Sequence, residues 1–332
     1  MPGMTEDQRT SAAVQAYDCR LCGHQNNHVT HVAQEMMFGL EESFTYFECD
    51  SCGCLQIAHI PEDMSPYYPS NYYSLAARDS GPPSGWRKVW DRSSAVFSLK
   101  GPNHWLPAVK HREIYEWLKN AEVNFDSSIL DVGCGSGALL LRLRNDGFTH
   151  LTGYEPHIPE PLSYEGNVKV HNQVDQVEGT FDLVMLHHSL EHMPDQHSAF
   201  KRLAGWVKPG GKLLLRIPVY PNAAWDEYGV HWFQLDAPRH FYLHSEESLR
   251  LVAAKAGFED FWVHYDSKGS QFWASEQYKQ GITHRAPTSH AESPKDSIFS
   301  AEQLREYDRK SQEANRANHG DAACFLFQKK AL

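Results

Sequence analysis

Residues 127–143 read SSILDVGCGSGALLLRL, and this stretch decides the fold. An apolar strand, Ile129-Leu130, runs into Asp131-Val-Gly133-Cys134-Gly135-Ser-Gly137, and a helix opens at Ala138. Glycines at a strand-to-helix turn permit positive φ and let a ligand approach the backbone. A lone GxGxxG would be weak evidence for a dinucleotide. Here the spacing is GxGxG, and an acid ends the strand just before it. That carboxylate repels a pyrophosphate but attracts the ammonium of a methionine moiety. The charge therefore favours S-adenosylmethionine (SAM) over NAD.

Outward from the turn, strands and helices alternate. "HLTGYE" is a strand ending on Glu155, 20 residues beyond Gly135. An acid so placed in an α/β unit can take two ribose hydroxyls. "VKVHNQV" is a short strand, and "FDLVMLHHSLEHM" is a buried strand that ends in His187, His188, Glu191 and His192. "AFKRLAGWV" is an amphipathic helix with Phe200, Leu203, Ala204 and Val207 on one face. "KPGG" then turns into the strand "KLLLRIPV". A further helix has Ser245 as its N-cap, acids in its first turn and Gly257 at its stop. "FEDFWVHY" and "AACFLFQKK" supply two last strands. The alternation predicts an α/β, doubly wound sheet. Ligands of such sheets bind outside the carboxyl ends of the strands.

Composition sets the class. The chain has 332 residues, 41% apolar and 22% charged, as an ordinary soluble globular protein does. A net charge of -11 argues against a large nucleic-acid footprint. No apolar run reaches the length of a membrane span. The first 16 residues lack the apolar core of a signal peptide, so the cytoplasm is the expected location. Seven cysteines, four of them in CxxC pairs, suit a reducing compartment and a metal better than disulfides.

Those pairs are Cys19-Arg-Leu-Cys22-Gly23 and Cys49-Asp-Ser-Cys52-Gly53. Two residues between thiolates let both sulfurs face one ion, and four cysteines close a tetrahedral structural zinc site. Cys54 is expected in the core or behind the ligands. "SFTYFEC" alternates as a strand would, so residues 14–62 read as a zinc-ribbon-like domain. A Tyr-rich, Pro-rich connector with Tyr67, Tyr68, Tyr72 and Tyr73 follows, then the linker "SGPPSG". Helices are expected around Trp86–Leu99 and Pro107–Glu122, the first completing a connector and lid over residues 63–105. Residues 106–332 form the third unit.

A second stretch, "HWFQLDAPRHFYLHS" at His231–Ser245, is too irregular for a strand, and Pro238 interrupts any helix. It follows the carboxyl end of "KLLLRIPV", so it lies over the crevice. Its rings suit a flat acceptor face, and His240 supplies an imidazole, the residue type suited to take a proton. Arg239 is placed to hold an anionic acceptor group bidentately, or else to pair with Asp236.

Together, "LDVGCGSG", Glu155, "FDLVMLHHSLEHMPD" and "WVKPGGKLLLRIPV" resemble class I SAM-dependent methyltransferases, over roughly Pro107 to Leu332. The resemblance implies a seven-stranded sheet whose last strand, "AACFLFQKK", is antiparallel to the rest. It implies that Asp131, Gly133, Cys134, Gly135 and Gly137 meet the methionine end of SAM, that Glu155 takes the ribose, that Asp175 meets the adenine and that His187 borders the cofactor. With the four-cysteine unit, the chain is similar to zinc-containing sugar C-methyltransferases and their glycan-pathway relatives. That similarity puts His240 at the base, with Arg239 beside it, and Tyr72 or Tyr73 across the acceptor; His188, where its strand meets the cofactor, is expected near the methyl group. The expected function is methylation, at carbon or oxygen, of a small-molecule acceptor such as a nucleotide-linked or phosphorylated sugar. Alternatives are O-methylation of a quinone-like or aromatic metabolite, a ribbon-recruited RNA or protein methyltransferase, and a core that binds SAM without chemistry.

Overall fold

The computed structural model describes residues 13–69, 79, 81–100 and 112–331. Four strands come first: β1 (Ala13–Asp18), β2 (Gln25–Gln34), β3 (Ser43–Glu48) and β4 (Leu55–Ile57), paired as an antiparallel meander. Two helices follow, α1 (Gly85–Lys100) and α2 (Arg112–Asn120). The alternating core then runs β5 (Ser128–Val132), α3 (Ala138–Asp146), β6 (His150–Tyr154), β7 (Leu162–Tyr164), β8 (Val168–His171), β9 (Phe181–His187), α4 (Gln196–Trp206) and β10 (Val207–Pro218). A short helix α5 (Ala223–Tyr228) precedes β11 (Tyr242–Leu243) and α6 (Glu246–Lys255). The chain closes with β12 (Phe258–Tyr265), α7 (Ser270–Lys279), α8 (Ala301–Arg316) and β13 (Ala322–Lys329).

The large sheet has the order β12-β13-β10-β9-β5-β6-β8-β7. β10, β9, β5, β6 and β8 are mutually parallel, while β13 runs antiparallel to both β10 and β12. The expected seven strands and their antiparallel member are thus present. β7 adds an eighth, three-residue strand at the edge, antiparallel to β8. Val207, expected at the end of a helix face, instead opens β10, whose register with β9 slips between Val207 and Lys212. α7 and α8 between β12 and β13 were not expected.

Both faces of this sheet are covered, which is why its central strands read as nearly continuous apolar runs. On one face Ile129, Leu183, Leu214 and Leu326 pack with Trp117 and Leu118 of α2 and Leu140 of α3. On the other, Leu130, Val184, Leu215 and Phe325 pack with Phe200 of α4 and Leu249 of α6. Each such fully buried side chain contributes roughly 1.5–3 kcal/mol by the hydrophobic effect.

The N-terminal meander docks on that second face. Leu21, Tyr46, Leu55 and Ile57 join the cluster that holds Leu249 and Trp225. β11, from the far side of the chain, pairs antiparallel with β4 and becomes the fifth strand of the small sheet. Tyr46 Oη donates to the His240 carbonyl at 2.9 Å, and Ser245 Oγ donates to the Cys52 carbonyl at 2.6 Å. The loop that follows β10 is therefore stitched to the cysteine unit at its carboxyl end.

Candidate functional site

The four thiols converge. Sγ of Cys19 lies 3.7 Å from that of Cys52, and Sγ of Cys22 lies 3.6 Å from that of Cys49. Zn–S bonds of about 2.3 Å at tetrahedral angles give sulfur–sulfur edges of about 3.8 Å, so the donor set fits the ion. Gly23 and Gly53 carry the positive φ of +77° and +68° that the knuckle turns require. Gln56 Nε2 donates to Cys19 Sγ at 2.9 Å, a neutral donor to a thiolate. Cys54 is fully buried behind the set, its thiol donating to the Leu243 carbonyl at 3.4 Å.

At the carboxyl end of β5 the glycine turn forms as its spacing requires. Gly133, Gly135 and Gly137 all have positive φ, and a Cβ on Gly133 would lie 2.4 Å from Cβ of Ser189. Ser189 Oγ in turn donates to the Val132 carbonyl at 2.9 Å, so the segment after β9 presses on the turn. Asp131 is 3% exposed; burial, and then the like charge of Glu155, push its carboxyl up to about 7. Glu155 directly follows β6 beside the turn and accepts from the Gly135 amide at 3.0 Å and the His157 amide at 3.1 Å. Cys134 Sγ fills the space where a Cβ on Gly153 would stand, at 2.6 Å. Asp175 is exposed, on a 3-10 turn at Val174–Gln176.

His187 at the tip of β9 packs against Trp117, ring centroids 5.2 Å apart, and burial with the neighbouring Arg216 charge lowers it to about 3. It is neutral at any physiological pH. His188 has φ of 50°, the left-handed region that a non-glycine residue enters at a cost and that recurs at functional sites. Its Nδ1 lies 3.3 Å from Oε1 of Glu191, and its Nε2 contacts Arg216. Glu191, His192 and His240 converge with it. The His192 and His240 rings meet edge to face at 4.9 Å. His240 is 5% exposed; its Nδ1 lies 2.7 Å from the Gln234 carbonyl, and its Nε2 3.7 Å from Asp236. A 3-10 turn at Leu190–His192 presents this group, held by Gln196 Nε2 on the Leu190 carbonyl at 2.8 Å.

Two expectations about the loop are corrected. Arg239 does not face an acceptor: its guanidinium is fully buried, ion-paired with Asp236 and 3.2 Å from Oε1 of Glu35. It ties the loop to the meander, because a buried cation needs carboxylates at hand. Nor do the loop's rings make an open wall. Trp232 and Tyr242 are 0% and 1% exposed, packed inward as core. Tyr72 and Tyr73 lie outside the described residues. Conversely, Glu191, to which the sequence assigned no role, is 1% exposed. A groove of about 600 Å³ lined by Tyr17, Asp18, Arg20 and Asn26 shares no residue with this crevice.

Known proteins resemble the core. A family profile described as "Methyltransferase domain" matches residues 104–261. A ubiquinone biosynthesis O-methyltransferase of Vibrio parahaemolyticus is 30% identical over 145 residues, 40% of this chain and 61% of that protein. A phosphoethanolamine N-methyltransferase of Triticum aestivum is 26% identical over 160 residues, 44% of this chain and 31% of that protein. The chain thus spans less than two thirds of either relative. Among solved structures, a cyclopropane synthase of Mycobacterium tuberculosis superposes with a TM-score of 0.43 at 16% identity, covering 76% of this chain and all of that one. The profile spans the glycine turn, Glu155 and the loop after β10, so residues 104–261 match a methyltransferase domain.

Proposed function

We propose that the whole chain is an enzyme that moves the methyl group of SAM to a small oxygen-bearing acceptor, a sugar or glycan precursor. The observation that carries this is the convergence of His188, Glu191, His192 and His240 at the carboxyl end of β9, beside the glycine turn. Sulfonium methyl transfer is an in-line displacement, so the protein chiefly aligns the partners. A hydroxyl acceptor also has to lose a proton, and this buried polar group is where that loss is handled. Asp131 and the glycine turn hold the methionine end of SAM, and Glu155 the ribose. Arg239 is a positioning residue that fixes the loop. Cys19, Cys22, Cys49 and Cys52 hold one structural zinc, which braces the sheet that β11 completes. The seven unpaired cysteines support work in a reducing compartment such as the cytoplasm.

The sugar reading draws on the four-cysteine unit. A second reading, O-methylation of a quinone-like or aromatic acceptor, is favoured by the printed activity of the Vibrio relative. Calorimetry with S-adenosylhomocysteine (SAH) and transfer of labelled methyl to nucleotide-linked deoxysugars, sugar phosphates and catechols test both. Label on a sugar supports the first reading, and label confined to a catechol the second. A chain that does not bind SAH ends both.

A further inference from the structure

Glu191 is 1% exposed, and neither of its carboxylate oxygens receives a hydrogen bond. Burying an ionised carboxylate without donors is costly, so positive charge belongs beside it. Its neighbours are imidazoles: Nδ1 of His188 at 3.3 Å and Nε2 of His240 at 4.0 Å from Oε1. Main-chain carbonyls set two of the rings. Nδ1 of His240 lies 2.7 Å from the Gln234 carbonyl, and Nδ1 of His192 lies 2.8 Å from the Arg239 carbonyl. An Nδ1–H donated to a carbonyl leaves the lone pair on Nε2, the outer partner that metal-bound histidines keep. One ligand atom each from Glu191, His192 and His240 lies within 4.8 Å of the others. Asp236, though close, already has its carboxylate on Arg239.

We propose that Glu191, His192 and His240 bind a divalent first-row transition cation, with open positions turned to the acceptor. Two neutral imidazoles and one carboxylate suit borderline ions such as Zn2+, Fe2+ or Mn2+. Bonds of about 2.1 Å set ligand edges of about 3.0–3.4 Å, so loading draws these side chains inward by roughly 1 Å. The ion neutralises a Glu191 carboxylate that receives no hydrogen bond. The site's use in catalysis rests on the methyltransferase reading. Three protein ligands leave adjacent positions free, and these take two neighbouring oxygens in a chelate ring. The acceptor class is then a vicinal dioxygen compound: a sugar diol, an α-hydroxyketone or a catechol. The ion makes the bound hydroxyl acidic, and its proton passes to water. The resulting oxyanion attacks the sulfonium methyl. The new C–O bond forms as the C–S bond breaks, and that electron pair stays on sulfur, giving SAH. His240 is then a ligand and not the base expected of it.

The test titrates Co2+ into the zinc-replete full chain and reads its visible spectrum, with SAH calorimetry in parallel. The expected result is one Co2+ per chain with weak d–d bands and no sulfur charge transfer, which separates this site from the thiolate site. Glu191→Gln, equal in size, should weaken Co2+ by about 100-fold or more, beyond the effect of losing an outer partner, while SAH affinity is retained. Should that variant fail to fold, the wild-type titration decides alone. No Co2+ bound outside the thiolates, or equal binding by Glu191→Gln, overturns the site. SAH binding without Co2+ binding removes the cation and keeps the methyltransferase; Co2+ binding without SAH binding does the reverse and leaves the cation without this use.

Discussion

Replacing Asp131 by Asn keeps the shape of the side chain and removes its charge. In the protein without cofactor that charge is held at a cost. The carboxyl is 3% exposed, and burial and Glu155 raise it from 3.8 to about 7. Three units at about 1.4 kcal/mol each amount to about 4 kcal/mol. The sign follows from the direction of the shift. The folded protein ionises this group later than the unfolded chain does, so stability is lost as pH rises from about 4 to about 7, and the full cost stands above that. At about pH 8 the Asp131→Asn protein should therefore resist urea better than wild type by up to about 4 kcal/mol, less the burial of the amide, while near pH 4 the two should match. Cofactor reverses the ranking. The proposed ammonium contact needs the carboxylate, so wild-type affinity for SAH should fall about tenfold per unit below about pH 7. The variant should bind about 10- to 100-fold more weakly at pH 8 and show no such slope. Urea unfolding and calorimetry across the pH series read both effects. Equal stability of the two proteins at pH 8, or a wild-type SAH affinity that is flat with pH, would refute the reasoning.

Gly133→Val should abolish SAH binding measured by calorimetry, since its Cβ would stand 2.4 Å from Ser189 and its φ is +76°. Elemental analysis of the purified chain should give about one zinc, and Cys22→Ser should lose it; full folding without metal would end the zinc assignment. Arg239→Met should lower stability in urea by about 3–5 kcal/mol, because the buried Glu35 and its neighbour Asp236 lose the cation they share; a neutral outcome would mean that water reaches this loop.

What was legible in the sequence was local. The glycine turn, Asp131, Glu155, both CxxCG knuckles and the Ser245 cap are set by residues a few positions apart, and each stands where its spacing put it. Ser245 Oγ does accept from the Ser248 amide at 3.0 Å. α8 is local too: Ser300 and Gln303 form a capping box ahead of it, a signal present in the sequence. The rest was not local. Arg239 becomes a clamp only because Glu35, 204 residues away, reaches it. The loop rings turn inward because β11 finds β4. Glu191 looks like a solvated acid until the loop folds over it, with the Phe241 amide on its carbonyl at 2.8 Å.

The shared strand also orders events in time. β4 has β3 on one side, and its other edge is closed by Phe241, Tyr242 and Leu243. Cys54 and Leu243 are 189 residues apart. At synthesis rates of about 5–20 residues per second, that edge stands open for roughly 10–40 s on the ribosome. An open edge is a template for association with other chains. All four knuckle cysteines emerge before the wait begins, so an ion captured there can keep the meander shaped while the catalytic core is still being made. Completion of the small sheet then marks the moment at which the loop folds over Glu191. A nascent chain stopped short of residue 243 has the glycine turn but an open β4 edge.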